Sequence, residues 1–417
     1  MVEESDSIGS IERWGPSLGA PSGATRRVLI ALLVYNGRAF VPRAVASTAR
    51  LQTGHPQASL RHHVDVVIFD DASPDPGWSE TLAAQCASDG VGYYRTPRNL
   101  GIPRNMNLGL LRAEAENYDY VVILNSDVIV PLNMVDAMVA AAESDATIGS
   151  VTAWSNNASI FSLPNFDPDT FLSDVPNVDA VSQTMSDEFG TLTVDLPTGV
   201  GFCMMISRTA IGEVGLFDPV FGRGYCEEVD WCQRGHERGL RNVLSPGAFV
   251  YHMGSATNRE AGILAPGEQT VHTNEAIIDL RYPDYRTRLA EWSASGVIEP
   301  IVNRGLGRLV GDAARTLGYV VDATWLRRST GLSLDQRVHI TINPDGPDAL
   351  VQARVGGWYS TIDVGEDGIL EAIAQFVGCM PGEVRLLDSG AIAERLQAEA
   401  DAAGVPVARL RRYPERV

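Results

Sequence analysis

Lysine is missing altogether, so every one of the 33 basic residues in this 417-residue chain is arginine. That pattern reads as a compositional bias of the genome, but it has a chemical consequence: any mechanism built on a lysine amine is excluded. Basic charge is also short overall. Against 52 acidic residues the formal net charge is -19, which argues against nonspecific attraction to nucleic acid. Cysteine is sparse, and five scattered thiols, an odd number, make no disulfide framework. Cys226, Cys232 and His236 match no familiar zinc spacing and read as reduced packing cysteines and a separate histidine. Long apolar runs are absent too. The longest, such as "VLIALLVY", are far too short to span a bilayer. The opening "MVEESDSIGSIERWGPSLGAPSGATRR" lacks the basic start and apolar core of a signal peptide. The expectation is a cytoplasmic protein with a flexible leader over residues 1–25, peripheral membrane contact being left open.

What is present is ordinary globular material, 45% hydrophobic and 20% charged, arranged in an alternating pattern. "RRVLIALLVY" is a continuous apolar run of the kind that forms a strand covered on both faces, and "AFVPRAVASTARL" follows with helical spacing. The alternation continues through strand "HVDVVIFD", helix "GWSETLAAQCASD", strand "VGYYRT", helix "IPRNMNLGLLRAEAE", strand "YDYVVILN" and helix "PLNMVDAMVAAAES". This order predicts an α/β fold, a mostly parallel sheet flanked by helices with right-handed crossovers. In such sheets ligands bind beyond the carboxyl ends of the strands. Tyr35-Asn36, Asp70-Asp71 and Asn125-Ser126-Asp127 each end a strand-like segment.

Residues 155–192 lose the alternation and are rich in Asn, Asp, Ser and Pro, as functional or disordered insertions are. It resumes with "VDLPTGVGFCMMISR" and the helix-like "EEVDWCQRGHERG". Near residue 290 the character changes again. The remainder, with "RVHITINP", "GILEAIAQFVG", "SGAIAERLQAEADAAG" and "VPVARLRRY", reads as a smaller α+β module without catalytic motifs. The expected division is therefore 1–25, 26–290 and 291–417.

Each polar cluster has a plain reading. Asp70-Asp71 could cap a turn or accept a hydrogen bond from a uracil or thymine N–H. Asp127 could sit in a turn or ligate a cation bound to a diphosphate. Glu227, Glu228 and Asp230 could simply complement the dipole at a helix start. His252, ending "GAFVYH", could be a hydrogen-bonded structural histidine or a ligand. Trp154 and Trp231 could stack on sugars or fill the core.

Taken in order, "LLVYNGRAF", "VVIFDDASPD", "RTPRNLGIPRNMNLG", "VVILNSDVIV", "LPTGVGFCMMISR", "GLFDPVFGRGYCEEVDWCQR" and "VYHMGS" resemble family 2 glycosyltransferases of the Rossmann-like GT-A fold, over about residues 26 to 255. Some of these motifs are similar to galactofuranosyltransferase and rhamnosyltransferase members. The resemblance implies transfer of a sugar from a UDP- or dTDP-linked donor to an acceptor hydroxyl with inversion, assisted by a divalent cation. Tyr35, Asn36, Asp70 and Asp71 would then hold the nucleoside, and Asn99, Gly101, Arg104 and Asn107 would lie beside the donor. "NSD" would be a variant of the family's Asp-any-Asp motif. Asp127 is its ligand, Asn125 replaces the first acid, and Ser126 lies between them on the donor side. His252 takes the place of a metal-binding histidine, which favours Mn²⁺ over Mg²⁺. Glu228 occupies the position of the catalytic base, in a Glu-Glu pair where the family usually has Glu-Asp. Trp154, Glu227, Asp230 and Trp231 are acceptor-side candidates.

The partners so implied are a nucleotide sugar and a glycan, lipid-linked or small-molecule acceptor, with oligomerisation through the C-terminal module an open option. Two alternatives stand beside this reading. One is a noncatalytic nucleotide-sugar or glycan-binding module descended from a transferase. The other, a sugar-phosphate nucleotidylyltransferase, is disfavoured because it would need an active-site lysine.

Overall fold

The computed structural model describes residues 25–58, 61–158, 160–163, 175–254, 269–323, 338–343, 350–355, 358–362, 368–386 and 391–409. Most of the expected leader, parts of the 155–192 segment and the stretch directly after Gly254 lie outside them. The chain divides into two compact units that change over between Gly296 and Val297.

The first unit is built on an eight-stranded sheet. Its strands are β1 (Arg27–Val34), β2 (His63–Asp70), β3 (Gly92–Arg95), β4 (Tyr120–Asn125), β6 (Ile148–Trp154), β7 (Val194–Leu196), β8 (Cys203–Ser207) and β9 (Arg241–Phe249), in the order β3-β2-β1-β4-β8-β6-β9-β7. β1 lies in the interior and is buried along almost its whole length, which is why its sequence is an unbroken apolar run. It pairs parallel with both β2 and β4. The chain steps outward from β1 to β2 and β3, then returns to the other side of β1 at β4, so a topological switch point opens beside β1. Register sharpens the point: Val34 pairs with Asp70 and Leu33 with Asn125. The three polar strand ends are thereby brought to one edge of the sheet.

Helices α1 (Val41–Ala49), α2 (Trp78–Asp89), α3 (Ile102–Ala115) and α4 (Met134–Ala142) follow the strands as the spacing predicts. Beyond them the sheet is mixed. β8 runs antiparallel to both β4 and β6, and β7 antiparallel to β9. The 155–192 segment contains helix α5 (Val175–Phe189), whose Val178, Val181, Met185 and Phe189 are buried at helical intervals. Helices α6 (Arg208–Val214) and α7 (Glu227–His236) lead to β9, and helices Thr270–Arg281 and Tyr285–Ala294 complete the unit. A two-residue antiparallel ribbon joins β5 (Val128–Ile129) to β10 (Tyr251–His252), pairing His252 with Val128.

The second unit has its own six-stranded sheet with helices Glu299–Leu317, Ile369–Val377 and Ala391–Ala403. Tyr319, Val321, Ile340, Ile369, Ile373 and Leu396 form its core. Among the described residues no helix is long and apolar enough to cross a membrane.

Candidate active site at the carboxyl ends of the strands

The Asp70-Asp71 pair splits into two different tasks. Asp70 is fully buried, and all its acceptor capacity is turned inward. Oδ1 accepts from the Ser73 amide at 2.9 Å and its hydroxyl at 2.6 Å, while Oδ2 accepts from Ser79 and Tyr93 hydroxyls at 2.7 Å each. Burial pushes its pKa up, but these donors outweigh it and hold the carboxyl below its ordinary value. Asp70 is therefore a hub of the scaffold. The Ser73 hydroxyl it orients also accepts the Asn36 amide at 2.8 Å, fixing Asn36 at a left-handed φ of 57°. The Asn36 carbonyl accepts from the Trp78 indole at 3.1 Å, whereas its side-chain Oδ1 is buried without a hydrogen-bond partner. A buried acceptor in this state can take a donor group from a ligand. Tyr35 stands half-buried beside it.

Asp71 organises the next loop. Its Oδ1 accepts from the Leu100 amide at 2.7 Å and the Thr96 hydroxyl at 3.1 Å, and Oδ2 accepts from the Gly101 amide at 2.9 Å. Burial and the neighbouring Asp70 charge outweigh these bonds and raise its pKa. Gly101 has φ of 82°, and a β-carbon there would stand 2.1 Å from the Gly222 carbonyl oxygen, so the glycine permits two backbones to touch. Asn99 is exposed and reaches the Asp71 carbonyl at 3.4 Å. Arg104 is half-buried, 3.5 Å from the Pro219 carbonyl. Asn107 is turned inward: its amide donates to the Phe217 carbonyl and accepts from the Phe217 amide, both at 2.9 Å. That reciprocal clip uses both ends of the side chain and gives Asn107 a role in seating α3.

Asn125 ends β4, its amide bonded to the Phe202 carbonyl at 2.8 Å, and Ser126 and Asp127 behind it are buried. The β5–β10 ribbon then places His252 against Asp127, with Nε2 3.4 Å from Oδ1. The other ring nitrogen, Nδ1, lies 2.7 Å from the Asn157 carbonyl. A carbonyl only accepts, so Nδ1 carries the hydrogen and, in the neutral ring, the Nε2 lone pair faces Asp127. Burial lowers the imidazole pKa, but Asp127 and the Asn157 carbonyl outweigh it and the net shift is upward. Phe202 stacks on the ring at 4.9 Å, and Asn156 brackets the His252 backbone by bonds of 3.1 and 2.8 Å.

This fits a divalent cation. The 3.4 Å between this oxygen and this imidazole nitrogen is within a few tenths of an ångström of the roughly 3.0 Å that separates neighbouring ligands in a six-coordinate site with bonds of about 2.1–2.2 Å. Among the described residues no group of three or more His, Cys, Asp or Glu could hold a metal ion. The remaining ligands would thus have to come from elsewhere, as oxygens of a bound diphosphate would. Asn156 and Asn157 escaped the sequence reading. The signal was there, since "SNN" ends β6 as "NSD" ends β4.

The acids at the start of α7 also divide. Asp230 is fully buried and saturated, accepting from Arg281 at 2.7 Å, Tyr282 at 2.9 Å and Arg234 at 2.9 Å. It anchors helix Thr270–Arg281 to α7 and is not available to an acceptor. Trp154 and Trp231 are likewise wholly buried, the latter bonded to the Gly215 carbonyl at 2.9 Å, so neither presents a face for sugar stacking. Glu227 and Glu228 remain. Their carboxyls interact with one another, and Oε2 of each is buried without a hydrogen-bond partner. Burial, reinforced by the Glu228 charge, raises the Glu227 pKa well above the ordinary carboxylate range. Glu228 is raised by burial but supported as a carboxylate by backbone N–H groups, including that of Gly201, and by Glu227. Glu228 is half-buried as a residue, with its Oε2 buried, whereas Glu227 is 4% exposed.

A search of curated protein sequences returns no match. Among solved structures, the chain is similar to GalNAc-T7 with UDP, GalNAc and Mn²⁺, at 17% identity and TM-score 0.41, covering 55% of this chain and 44% of that one. This chain thus spans less than half the length of that relative. It is also similar to a mannosyltransferase from Pyrobaculum calidifontis in complex with GDP-Man and Mn²⁺, at 17% identity and TM-score 0.41, covering 73% and 80% of the two chains. A third similar structure is TarS of S. aureus, at 12% identity and TM-score 0.40, covering 68% and 80%. Residues 30–215 match the family model described as glycosyl transferase family 2, a span that takes in every polar strand end from Tyr35 to Asp127. That match makes residues 30–215, a little under half of the chain, similar to a glycosyl transferase family 2 domain.

Proposed function

We propose that the protein transfers a sugar from a UDP- or dTDP-linked donor to an acceptor hydroxyl by a single inverting displacement assisted by a divalent cation, Mn²⁺ in preference to Mg²⁺. The observation that carries the reading is the Asp127–His252 pair, a carboxylate oxygen and an oriented imidazole nitrogen 3.4 Å apart at the switch point of the sheet. Such a cation supplies positive charge to a leaving diphosphate. Asp127 and His252 would hold it, and the imidazole accounts for the preference for Mn²⁺.

The chain's own groups do the rest. Asn36 offers its unpartnered Oδ1 to a donor on the base, and the Asp71-ordered loop walls the nucleotide side. Glu228 accepts the proton of the attacking hydroxyl at Oε2, which has no internal partner. Glu227 and the Gly201 backbone N–H favour the charged form of that carboxylate. The acceptor oxygen bonds to the anomeric carbon as the bond to the nucleoside diphosphate breaks on the opposite face. The proton ends on Glu228, and no covalent enzyme intermediate is formed. The acceptor is a glycan, a lipid-linked sugar or a small molecule, and the reaction is placed in the cytoplasm.

The test has two arms. Calorimetric titration with UDP and dTDP in the presence of Mn²⁺ should show metal-dependent binding that Asp127→Ala abolishes. Nucleotide release from UDP- and dTDP-sugars, with and without candidate acceptors, should fall by about 10²–10⁴-fold in Glu228→Gln while nucleotide affinity is retained. Metal-dependent affinity unchanged in Asp127→Ala would rule out the cation site, and normal turnover in a folded Glu228→Gln would rule out the base.

A further inference from the structure

We infer that Asn274, on helix Thr270–Arg281, is a positioning residue that holds the loop before α7 in the conformation aiming Glu228. The inference rests on the assignment of Glu228 as the base. Asn274 is 4% exposed, and its amide nitrogen donates to three backbone carbonyls of one loop: Phe221 at 3.0 Å, Gly224 at 2.8 Å and Tyr225 at 3.0 Å. Two N–H groups shared among three acceptors leave the amide no donor capacity for anything else.

The loop needs such a tie. Gly222, Gly224, Tyr225 and Cys226 all have positive φ, of 55°, 120°, 71° and 73°. For Tyr225 and Cys226, which carry β-carbons, this conformation costs roughly 1–2 kcal/mol each. Cys226 is the N-cap of α7 and makes no side-chain capping bond, so no side chain at the helix start fixes its position. Glu227 and Glu228 are the next two residues. Without Asn274, the Gly224 and Tyr225 carbonyls would lose its N–H donors while Phe221 kept only the Gly224 amide, and relaxation of Tyr225 or Cys226 would carry Glu228 with it.

The same helix grips α7 at a second place, where Arg281 bonds Asp230 at 2.7 Å, and it reaches Asp218 ahead of the loop at 2.8 Å. That grip anchors the helix body and does not depend on Asn274. Loss of Asn274 should therefore leave the fold and the donor site standing while misplacing the carboxylate. A displacement of the order of 1 Å can cost about 100-fold in rate.

The experiment uses full-length protein and the UDP- or dTDP-sugar it turns over. Asn274→Ala is expected to lower kcat roughly 10- to 100-fold, with donor KM and the UDP–Mn²⁺ affinity within about twofold of the parent. In the Glu228→Gln background the same substitution should cause no further loss, because both changes disable one group. Should Asn274→Ala fail to fold, Asn274→Ser, which keeps one donor, takes its place with a smaller loss of the same form. Unchanged kcat, a matching loss of nucleotide affinity, or losses that add in the double variant would each overturn the positioning role. Normal turnover in Glu228→Gln alone would instead strike down the base assignment, and this inference with it.

Discussion

Glu227 is buried beside Glu228, and the upward shift of its pKa has a measurable effect on stability. With the Glu227 pKa raised in the fold, an unfolded glutamate ionising near about 4.3 releases its proton first as pH increases. Between that point and the folded value the native state binds more protons than the unfolded one, so this residue makes stability fall as pH rises, by up to about 1.4 kcal/mol per pH unit. Glu227→Gln keeps an N–H donor toward Glu228 but has nothing to ionise. Its melting temperature relative to the parent should therefore climb steadily from pH 4.5 upward. Parallel melting curves across that range would show that Glu227 titrates like a solvent-exposed acid. Residue identities were readable from the sequence only as far as location. The carboxyl-end rule singled out Asp70, Asp71 and Asp127. It could not tell the saturated Asp70 from the loop-ordering Asp71, because Ser73, Ser79 and Tyr93 converge on Asp70 only once β2, α2 and β3 are assembled.

At the scale of elements, the α/β alternation up to α4 was legible because each segment's period matches its burial. The antiparallel entry of β8 was not, since an apolar run carries no direction. Helix α5 was hidden by its Asn, Asp and Pro content, although its buried positions fall at helical intervals. The inward turn of Asn107, Asp230, Trp154 and Trp231 depends on partners distant in sequence, Phe217 and Arg281 among them. One junction between elements can be tested directly. Gly101→Ala adds a β-carbon 2.1 Å from the Gly222 carbonyl at a left-handed φ, combining a backbone penalty of roughly 1–2 kcal/mol with overpacking of roughly 1–3 kcal/mol. Gly77 has φ of 69° but nothing within 4 Å of its would-be β-carbon, so Gly77→Ala carries a backbone cost without a steric contact. Urea unfolding should rank Gly101→Ala as clearly the more destabilised. Equal losses would mean that the contact yields freely.

For the whole molecule, each unit has its own sheet and its own buried cluster. A fragment ending at Gly296 is expected to unfold cooperatively and to bind UDP–Mn²⁺ with the affinity of the full chain, as read by thermal circular dichroism and calorimetry. A folded fragment without nucleotide affinity would mean that the second unit completes the donor site. Within the first unit, the loop set by Asp71 and the loop leading to Glu228 meet through bare main chain, Gly101 against the carbonyl of Gly222. Their separation is written in peptide geometry and not in the size of any side chain. Substitutions around the mouth can thus alter which sugar or acceptor is recognised while the span between leaving-group and proton-accepting sides keeps its length, a fixed gauge inside an adaptable opening.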